Sequence, residues 1–543
     1  MLVKIVIAYP PIQQTKGVPL LSQNRQFQYF NAPTYIYPMV PAYAASLAKQ
    51  RGHDVFWMDG IAEKKEYNEW LDTLTKENPD FILMETKAPV IKQHWAITDG
   101  IKEKLPKTKI IMVGDHVTWN PTETMDSCKV DYIITGGDYD FVLSDLIEAI
   151  KEDKYIPGGI YTRKEDGAVK IDPKWLKIHK TEKGEYCQSG PLELKHNLDD
   201  LPFIDRDLTK WELYAYENGN YKYTPATYMY SGRDCWWNRC TFCVWDHTLN
   251  PRGHYRRFSP ERLFAEVKHV VDKYGVKEIF DDAGTLFIGP PLKKFCELMI
   301  ESGYNKKVVL GCNMRLNALT AEYYELMKKA NFRFILYGME SANQYTLDKL
   351  DKGLKVEEIE EGAKIAKKAG LEPHVTVMLG YPWETEEMAQ NTINLAKELF
   401  KKGYIDTMQA TIVIPYPGTP LYKECLENDW FQVDPTNYEL FDMRRPVMKV
   451  PFTNERLYEL TQSLYSSFFT PKYIVRKILS VRNFNDVRFL WYSAWKLLGH
   501  LLDFDKEQTK VNWLSPKFWK NAVRSLSGHI FSKKSKNENL KNI

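Results

Sequence analysis

Short apolar runs alternate with helical stretches twice along this chain of 543 residues, and this alternation restricts its fold more than any other feature. Residues 1–150 contain five such runs, which read LVKIVIAY, DVFWMD, FILMET, KIIMVGD and VDYIIT. Buried strands that alternate with helices are typical of βαβ units. We therefore predict a doubly wound, Rossmann-like parallel sheet, in which ligands bind beyond the carboxyl ends of the strands.

A second alternating series begins near Tyr221. It contains six runs, which read ATYMYS, VKEIFDDAG, KVVLGCNMR, FRFILYGMES, EPHVTVMLG and TMQATIVIPYPGTP. Six strands are fewer than the eight of a complete (β/α)8 barrel, so the series predicts a partial (β/α)6 barrel. Within it, Ser259 as N-cap and Pro260 in the first turn predict a helix over Pro260–Tyr274.

These patterns predict an α/β protein with five segments. They are a Rossmann-like domain (1–155), a linker with some β structure (156–220), the partial barrel (221–430), a helical C-terminal region (431–505) and a basic tail (506–543).

Charge and composition exclude several classes of protein. The tail holds nine Lys/Arg and two acidic residues, so its net charge is +7. The whole chain has a net charge of +3, so the remainder carries −4. The remainder therefore offers no broad basic face for nucleic acid. No run of about eighteen apolar residues is present to span a membrane. The eight cysteines show no disulfide pattern. We expect a protein of the reducing cytoplasm.

The loop SGRDCWWNRCTFCVWDHT concentrates three of those cysteines, Cys235, Cys240 and Cys243. Closely spaced thiolates select zinc or an iron–sulfur cluster. A cluster held by three cysteines leaves one iron open for chemistry, whereas His247 could complete a four-ligand zinc site. The spacing alone leaves both possibilities open.

With the segments that follow it, this loop resembles the radical S-adenosylmethionine superfamily. The usual spacing there is Cys-x3-Cys-x2-Cys, and this loop has four residues in the first gap. GMES at Gly338–Ser341 resembles the fourth-strand segment whose glutamate contacts S-adenosylmethionine, and GYPWET at Gly380–Thr385 resembles a fifth-strand motif. FDDAG at Phe280–Gly284 stands where the second-strand motif of the family lies.

Other segments resemble the branch of the superfamily that carries an N-terminal cobalamin-binding domain. They are YPP after the first strand, VGDHVT at Val113–Thr118, ITGGDYDF at Ile134–Phe141 and YPGTPLY at Tyr416–Tyr422. The Asp-x-His-x-x-Gly signature of cobalamin mutases is absent from the first loop. The resemblance implies a cobalamin site formed by Pro10, Thr86, Gly114, His116, Gly136 and Gly137, although His116 could equally be an ordinary loop histidine.

The resemblance also implies roles in the barrel. Cys235, Cys240 and Cys243 would bind three irons of a [4Fe–4S] cluster, while the fourth iron binds S-adenosylmethionine. Contacts to that cofactor would come from Glu340, Ser341, Arg315, Gly284 and Gly380. Asp281 and Asp282 are candidate catalytic residues at the barrel mouth, where one of them could cap a helix instead. Arg315 could alternatively form a surface ion pair.

The predicted function is therefore a cobalamin-dependent radical S-adenosylmethionine enzyme that methylates an unactivated carbon. The same cofactors could instead serve cyclisation, rearrangement or oxidation, and a more distant alternative is a zinc or redox-sensing binding protein. We expect a ferredoxin- or flavodoxin-type electron donor and a small-molecule or lipid-like substrate. An apolar stripe in 485–504, next to the basic tail, predicts a helix packed on the barrel or, less favoured, weak contact with a membrane surface.

Overall fold

The first half of the chain folds around one large sheet. The computed structural model describes residues 2–12, 17–21, 26–30, 33–164, 169–219, 221–482, 485–491 and 493–494. Its first ten strands are β1 (Lys4–Tyr9), β2 (Val18–Leu20), β3 (Gln28–Phe30), β4 (Asp54–Asp59), β5 (Phe81–Thr86), β6 (Lys109–Gly114), β7 (Tyr132–Ile134), β8 (Ile160–Arg163), β9 (Lys177–Lys180) and β10 (Glu185–Gln188). Six helices accompany them, α1 (Met39–Gln50), α2 (Tyr67–Glu77), α3 (Ile91–Lys104), α4 (Asp115–Trp119), α5 (Pro121–Ser127) and α6 (Tyr139–Lys151).

The strands of this sheet lie in the order β4-β1-β5-β6-β7-β8-β10-β9. The first five are parallel, as the alternating pattern predicts. Strands β8, β10 and β9 continue the sheet in antiparallel pairing. These three strands come from the segment predicted as a linker, so that segment extends the first sheet rather than standing apart from it. Strands β2 and β3 form a separate antiparallel hairpin.

The second half of the chain contains the remaining elements. Its strands are β11 (Ala226–Met229), β12 (Gly232–Arg233), β13 (Arg256–Arg257), β14 (Glu278–Asp281), β15 (Val309–Met314), β16 (Phe332–Glu340), β17 (Glu372–Leu379) and β18 (Thr407–Ile412). Its helices are α7 (Val244–His247), α8 (Pro260–Tyr274), α9 (Pro290–Glu301), α10 (Ala321–Lys329), α11 (Gln344–Lys349), α12 (Val356–Lys368), α13 (Glu386–Lys402), α14 (Pro420–Glu427), α15 (Asn454–Ser463) and α16 (Pro471–Leu479).

Six parallel strands, in the order β11-β14-β15-β16-β17-β18, form the predicted partial barrel. Helix α8 has the predicted boundaries, because the Ser259 side chain accepts a hydrogen bond from the Arg262 amide at 3.1 Å and Gly275 ends the helix with φ +64°. The strand interiors are apolar and buried, with Ile279, Leu310 and Val377 fully excluded from solvent. The fold class predicted from the sequence is confirmed.

The last described elements, α16 and the helical residues 485–491, lie at the amino ends of the barrel strands. Residues 485–491 are helical, and Asp486 among them is buried. Its Oδ1 atom lies 2.7 Å from Nζ of Lys222, which precedes β11, and the two form an ion pair. Lys477 of α16 pairs with Asp406, the residue before β18, at 3.7 Å. The stripe residues Val487 and Trp491 are 49% and 73% exposed, so this stretch contacts the barrel through Asp486 and not through the predicted apolar stripe. Residues 495–543 lie outside the described part of the chain. Among the described residues, no helix is both long and apolar enough to cross a membrane.

Candidate active site

The three cysteines that follow β12 border one cavity of about 290 Å³. It extends into the barrel, where four neighbouring strands, β15 to β18, form part of its wall. The lining residues include Arg315, which follows β15, and Glu340, Met378 and Gln409 on β16, β17 and β18. The first half of the chain contributes Gln28 of β3. Both halves of the molecule therefore enclose this space.

Burial controls the protonation of the three thiols. It raises the pKa of Cys235 to about 12, that of Cys240 to about 11 and that of Cys243 well above its usual value. The metal-free protein thus carries neutral thiols, and iron or zinc must displace their protons in order to bind.

His247 does not face the thiols as a fourth ligand would. Its Nε2 atom lies 3.1 Å from the carbonyl oxygen of Cys240 and is engaged by the backbone. A zinc site would require all four donors within about 2.0–2.3 Å of one ion. In the part of the chain that the structure describes, no three His, Cys, Asp or Glu side chains are arranged around such a point. Three thiols spread around a shared cavity fit a cluster, in which each thiolate binds a different iron.

Glu340 lies at the rim of this cavity and is paired with a lysine. Lys352 Nζ donates to Glu340 Oε1 at 2.7 Å, and both residues are less than 10% exposed. Glu340 has a φ of +63°, and the pairing of β16 with β17 shifts register between Gly338 and Glu340. The local bulge therefore turns the carboxylate at the strand end toward the cavity.

Arg315 also lines the cavity, but its guanidinium is occupied by backbone. Nη2 donates to the carbonyl oxygens of Lys352 and Gly353, the latter at 3.0 Å. The group stacks 4.2 Å from the ring centre of Trp237. Arg315 thus fixes the turn that carries Lys352, and it is not a surface ion pair.

The other predicted cofactor contacts in the barrel differ in placement. Gly284 lines the cavity, and its amide donates to Asp234 Oδ1 at 2.6 Å. Ser341 is fully buried, and its Oγ atom faces Thr392 of α13 at 3.3 Å instead of the cavity. Gly380 lies outside the cavity wall, and its amide donates to Glu384 Oε2 at 2.7 Å. Of these three residues, the structure brings only Gly284 to the cavity.

The paired aspartates at the end of β14 point in different directions. Asp281 Oδ1 accepts hydrogen bonds from the amides of Ser231 and Ala283, at 2.8 and 3.3 Å. Burial raises the pKa of Asp281 to about 6 despite these bonds. Asp282 lines the cavity. Asp281 therefore orders the strand end, whereas Asp282 is the one of the two that lines the cavity.

The six predicted cobalamin residues lie along the carboxyl edge of the first sheet. A Cβ atom at Gly114, whose φ is +126°, would lie 2.1 Å from the Thr86 carbonyl oxygen. Similar atoms at Gly136 and Gly137 would meet Leu192 and Asn250, at 2.3 and 2.9 Å. Backbone conformation and packing thus already favour glycine at Gly114 and Gly136, and Gly137 lies close to the Asn250 side chain. Pro10 and Thr86 are buried, and Thr86 Oγ1 contacts His94 Nδ1 at 2.8 Å.

His116 is enclosed at the same edge. Its ring centre lies 4.6 Å from that of Tyr438 and 5.6 Å from that of Trp119, and its Nε2 is 3.1 Å from Glu123 Oε2. Its Nδ1 atom is buried and has no hydrogen-bond partner among the described residues. His116 is therefore a packed histidine with one unused nitrogen.

Two further polar atoms in the same zone also lack hydrogen-bond partners among the described residues. They are Nε1 of Trp245 in the cysteine loop and the hydroxyl of Tyr416 after β18, both buried. Lys87, which follows β5, places its ammonium 5.7 Å from the Trp245 ring centre. Buried polar groups rarely stay unpaired, so a ligand with several polar groups fits between the two sheets. Cobalamin is such a ligand.

Sequence reasoning missed Lys352, Asp234 and Asp246, all of which line the cavity. Burial raises the pKa of both aspartates to about 7. Asp234 directly precedes Cys235, and Asp246 follows Cys243 by three residues, so their positions in the cysteine motif could have indicated that they line the site. For Lys352 no spacing signal existed, because its partner Glu340 lies on another element.

Part of the chain is similar to known proteins. The model of the radical SAM superfamily matches residues 229–396. An uncharacterised methyltransferase of Pyrococcus horikoshii is 27% identical over 455 residues, which cover 82% of this chain and 91% of that protein. The anaerobic magnesium-protoporphyrin IX monomethyl ester cyclase of Cereibacter sphaeroides is 23% identical over 443 residues, which cover 80% of this chain and 67% of that protein.

Two solved structures share the fold. The radical S-adenosylmethionine methyltransferase TsrM of Kitasatospora setae, solved with cobalamin and a [4Fe–4S] cluster, superposes with a TM-score of 0.60 at 14% identity and covers 87% of this chain and 90% of its own. The cobalamin-dependent S-adenosylmethionine radical enzyme OxsB, solved with aqua-cobalamin and S-adenosylmethionine, superposes with a TM-score of 0.62 at 15% identity. The match covers 92% of this chain and 72% of OxsB.

Proposed function

We propose that this chain, which belongs to the radical SAM superfamily through residues 229–396, is a cobalamin-dependent methyltransferase that acts on an unactivated carbon. The observation that carries the proposal is a cavity bordered by Cys235, Cys240 and Cys243 from the barrel and by Gln28 from the first half of the chain. The methyltransferase relative, which aligns along 91% of its length, supports methyl transfer.

When bound, the cluster would supply the electron that cleaves S-adenosylmethionine, and cobalamin would carry the methyl group to the substrate. The three thiolates would hold the cluster, and the open iron would take S-adenosylmethionine. Glu340 would bind the cationic or hydroxyl groups of that cofactor through charge-assisted hydrogen bonds. Asp282 lies where it can bind a polar group of the substrate or cofactor.

Aromatic side chains anchor the cysteine loop and would help to keep water from a bound cluster. Trp236 Nε1 donates to the Leu286 carbonyl at 3.1 Å, and Trp237 Nε1 donates to the Asp351 carbonyl at 2.7 Å. Because both indoles have satisfied donors, their rings can remain packed beside the thiols. A dry site protects reactive intermediates from side reactions.

The balance of the reaction sets its test. Each methylation would consume two molecules of S-adenosylmethionine and two electrons, and would yield S-adenosylhomocysteine, methionine and 5′-deoxyadenosine. The anaerobically reconstituted protein is incubated with S-adenosylmethionine that carries a deuterated methyl group and with small-molecule extract of the host. We expect both nucleoside products and a metabolite that gains the deuterated methyl group. Deoxyadenosine without S-adenosylhomocysteine or a labelled product contradicts methylation.

The relative that is a cyclase supports a second candidate, in which the same cofactors serve ring formation or oxidation without methyl transfer. Its signature is deoxyadenosine with a product that lacks the label. One zinc per chain and no cluster absorbance after anaerobic purification would favour the binding-protein alternative and contradict both enzymes.

The enzyme would need a ferredoxin- or flavodoxin-type donor for its electrons and a small-molecule or lipid-like substrate. All eight cysteines are free thiols, which suits the reducing cytoplasm. Helix α16 exposes Ile474, Ile478 and Leu479, and the basic tail follows later in the sequence. Contact of this region with anionic membranes is testable by liposome flotation at low salt, where loss of binding on deletion of 506–543 would support it and no flotation of the full chain would contradict it.

A further inference from the structure

A short ribbon joins the cysteine loop to the first sheet. Strands β12 and β13 pair antiparallel and place Arg233 opposite Arg256. Both arginines reach the amino end of α6. Arg233 Nη2 donates to Asp140 Oδ2 at 2.6 Å, and Arg256 Nη2 donates to Asp138 Oδ1 at the same distance.

Arg233 makes the closer connection to the predicted cluster. It lies two residues before Cys235, and its side chain is 1% exposed. Besides Asp140, its Nη1 donates to the Gly137 carbonyl at 2.9 Å, and Asp138 lies at 3.6 Å. A single buried guanidinium therefore ties the cysteine loop to the loop after β7.

The same β7 loop holds the barrel side by a second route. The Gly137 amide donates to the Leu249 carbonyl at 2.8 Å, and the Asn250 side chain lies against the Gly137 backbone. Leu249 and Asn250 follow α7 and therefore lie just after Cys243, the third cysteine of the loop. Gly137 is thus fixed through both its amide and its carbonyl, and Arg233 forms one of those two links.

We propose that Arg233 is a positioning residue that fixes the distance and orientation between the cluster site and the carboxyl edge of the first sheet. The inference rests on the proposed function, which assigns one cofactor to each side of this junction. A planar guanidinium can hold a carboxylate and a carbonyl in a defined plane, which a lysine ammonium cannot do. Arg233 itself need not touch either cofactor.

Pulsed EPR distance measurement tests the proposal without turnover. Chemical reduction gives cob(II)alamin and the reduced cluster, which are both paramagnetic, and their dipolar coupling falls with the cube of the distance. We expect the wild type to give one narrow distance distribution. Arg233→Lys and Arg233→Gln should retain iron and cobalamin but give a shifted or clearly broader distribution.

Controls separate positioning from general destabilisation. Asp140→Asn removes the partner charge with little change of shape, and should broaden the distribution in the same way even if the Arg233 variants fold poorly. Arg333→Gln breaks a buried ion pair with Glu278 at the far end of the barrel and should leave the distribution narrow. Loaded Arg233 and Asp140 variants with the wild-type distribution overturn the proposal. Wild-type protein that loads neither cofactor contradicts the proposed function instead, and the proposal with it.

Discussion

Lys352 donates a hydrogen bond to Glu340 across 2.7 Å at the rim of the cavity that three thiols border. Neither residue is near the other in a strand or helix pattern. The turn that carries Lys352 is held by Arg315 through backbone carbonyls and by Trp237 through the Asp351 carbonyl. The carboxylate predicted to bind the cofactor is thus held in place by a lysine before any ligand arrives.

Gly338→Ala should disturb this pair without unfolding the protein. The added Cβ would lie 2.1 Å from Glu340 Oε1 and 2.9 Å from Lys352 Nζ, so both side chains must move. We expect a stability loss of roughly 1–3 kcal/mol and at least a tenfold weaker binding of S-adenosylhomocysteine, measured by calorimetry on the reconstituted protein. Gly184→Ala, whose added atom would meet only Tyr186 at 3.2 Å or more, is the matched control. Equal affinity in both variants would contradict a role for the pair.

Replacement of Cys235, Cys240 or Cys243 by alanine should abolish cluster assembly and deoxyadenosine formation, while cobalamin still binds. The reason is that the thiols lie in the barrel and the predicted cobalamin residues lie on the first sheet. Iron and sulfide analysis with absorbance spectra measures both effects. Cys187→Ala in β10 is the control and should keep a full cluster. A triple variant that still cleaves S-adenosylmethionine reductively shows that other residues bind the cluster.

His196 should make stability depend on pH in the neutral range. Burial alone would lower its pKa, but hydrogen bonds to Asp138 and Asp145 outweigh burial and raise the pKa to about 9. The unfolded pKa is about 6.5. A raised folded pKa stabilises fully below about pH 6.5, and the contribution is lost as pH rises through about 9.

The free energies of unfolding of wild type and His196→Gln, obtained by denaturant titration at several pH values, measure this effect. The difference between the two free energies should be largest at pH 6, on the order of 1–2 kcal/mol once solvent screening is allowed for, and should shrink toward pH 9.5. Other buried carboxyls titrate in the same range, so only the difference between the two proteins reports on His196. A constant difference across the range means that the imidazole is not charged in the folded state.

Asp486→Asn should loosen the C-terminal region from the barrel. The carboxylate is buried, pairs with Lys222 and accepts a hydrogen bond from the Arg482 amide at 2.7 Å. Loss of one partner of a buried pair costs roughly 1–3 kcal/mol, and we expect faster proteolysis after residue 480. Asp429→Asn, which removes an exposed ion pair with Lys449, should change neither the free energy of unfolding nor the rate of proteolysis. Unaltered proteolysis of Asp486→Asn would show that other contacts hold this region.

The sequence predicted the sheets and the cysteine loop because these depend on local patterns. Strand β16 is an apolar run, α8 has a Ser-Pro start, and three cysteines within nine residues are a local motif. Residues whose roles depend on distant contacts were not found. Asp140 and Arg233 are 93 positions apart, and no periodicity relates them.

Motif resemblance does not separate packing from chemistry. Ser341 follows Glu340 in the matching segment, and its side chain contacts Thr392 of α13 next to the register shift at Glu340. At Gly136 the φ of +81° and the nearby Leu192 side chain favour glycine whether or not a cofactor binds. The roles of these residues in cofactor binding therefore stay predictions.

The cavity lies toward the carboxyl ends of the barrel strands, whereas the ion pair between Lys222 and Asp486 lies at their amino ends. Apolar side chains that exclude solvent, among them Ile279, Leu310 and Val377, fill the strand interiors. The barrel therefore keeps its anchoring contacts and its chemistry at opposite ends. Asp486→Asn should for this reason leave the binding of S-adenosylhomocysteine, measured by calorimetry on the reconstituted protein, within a factor of about two of wild type.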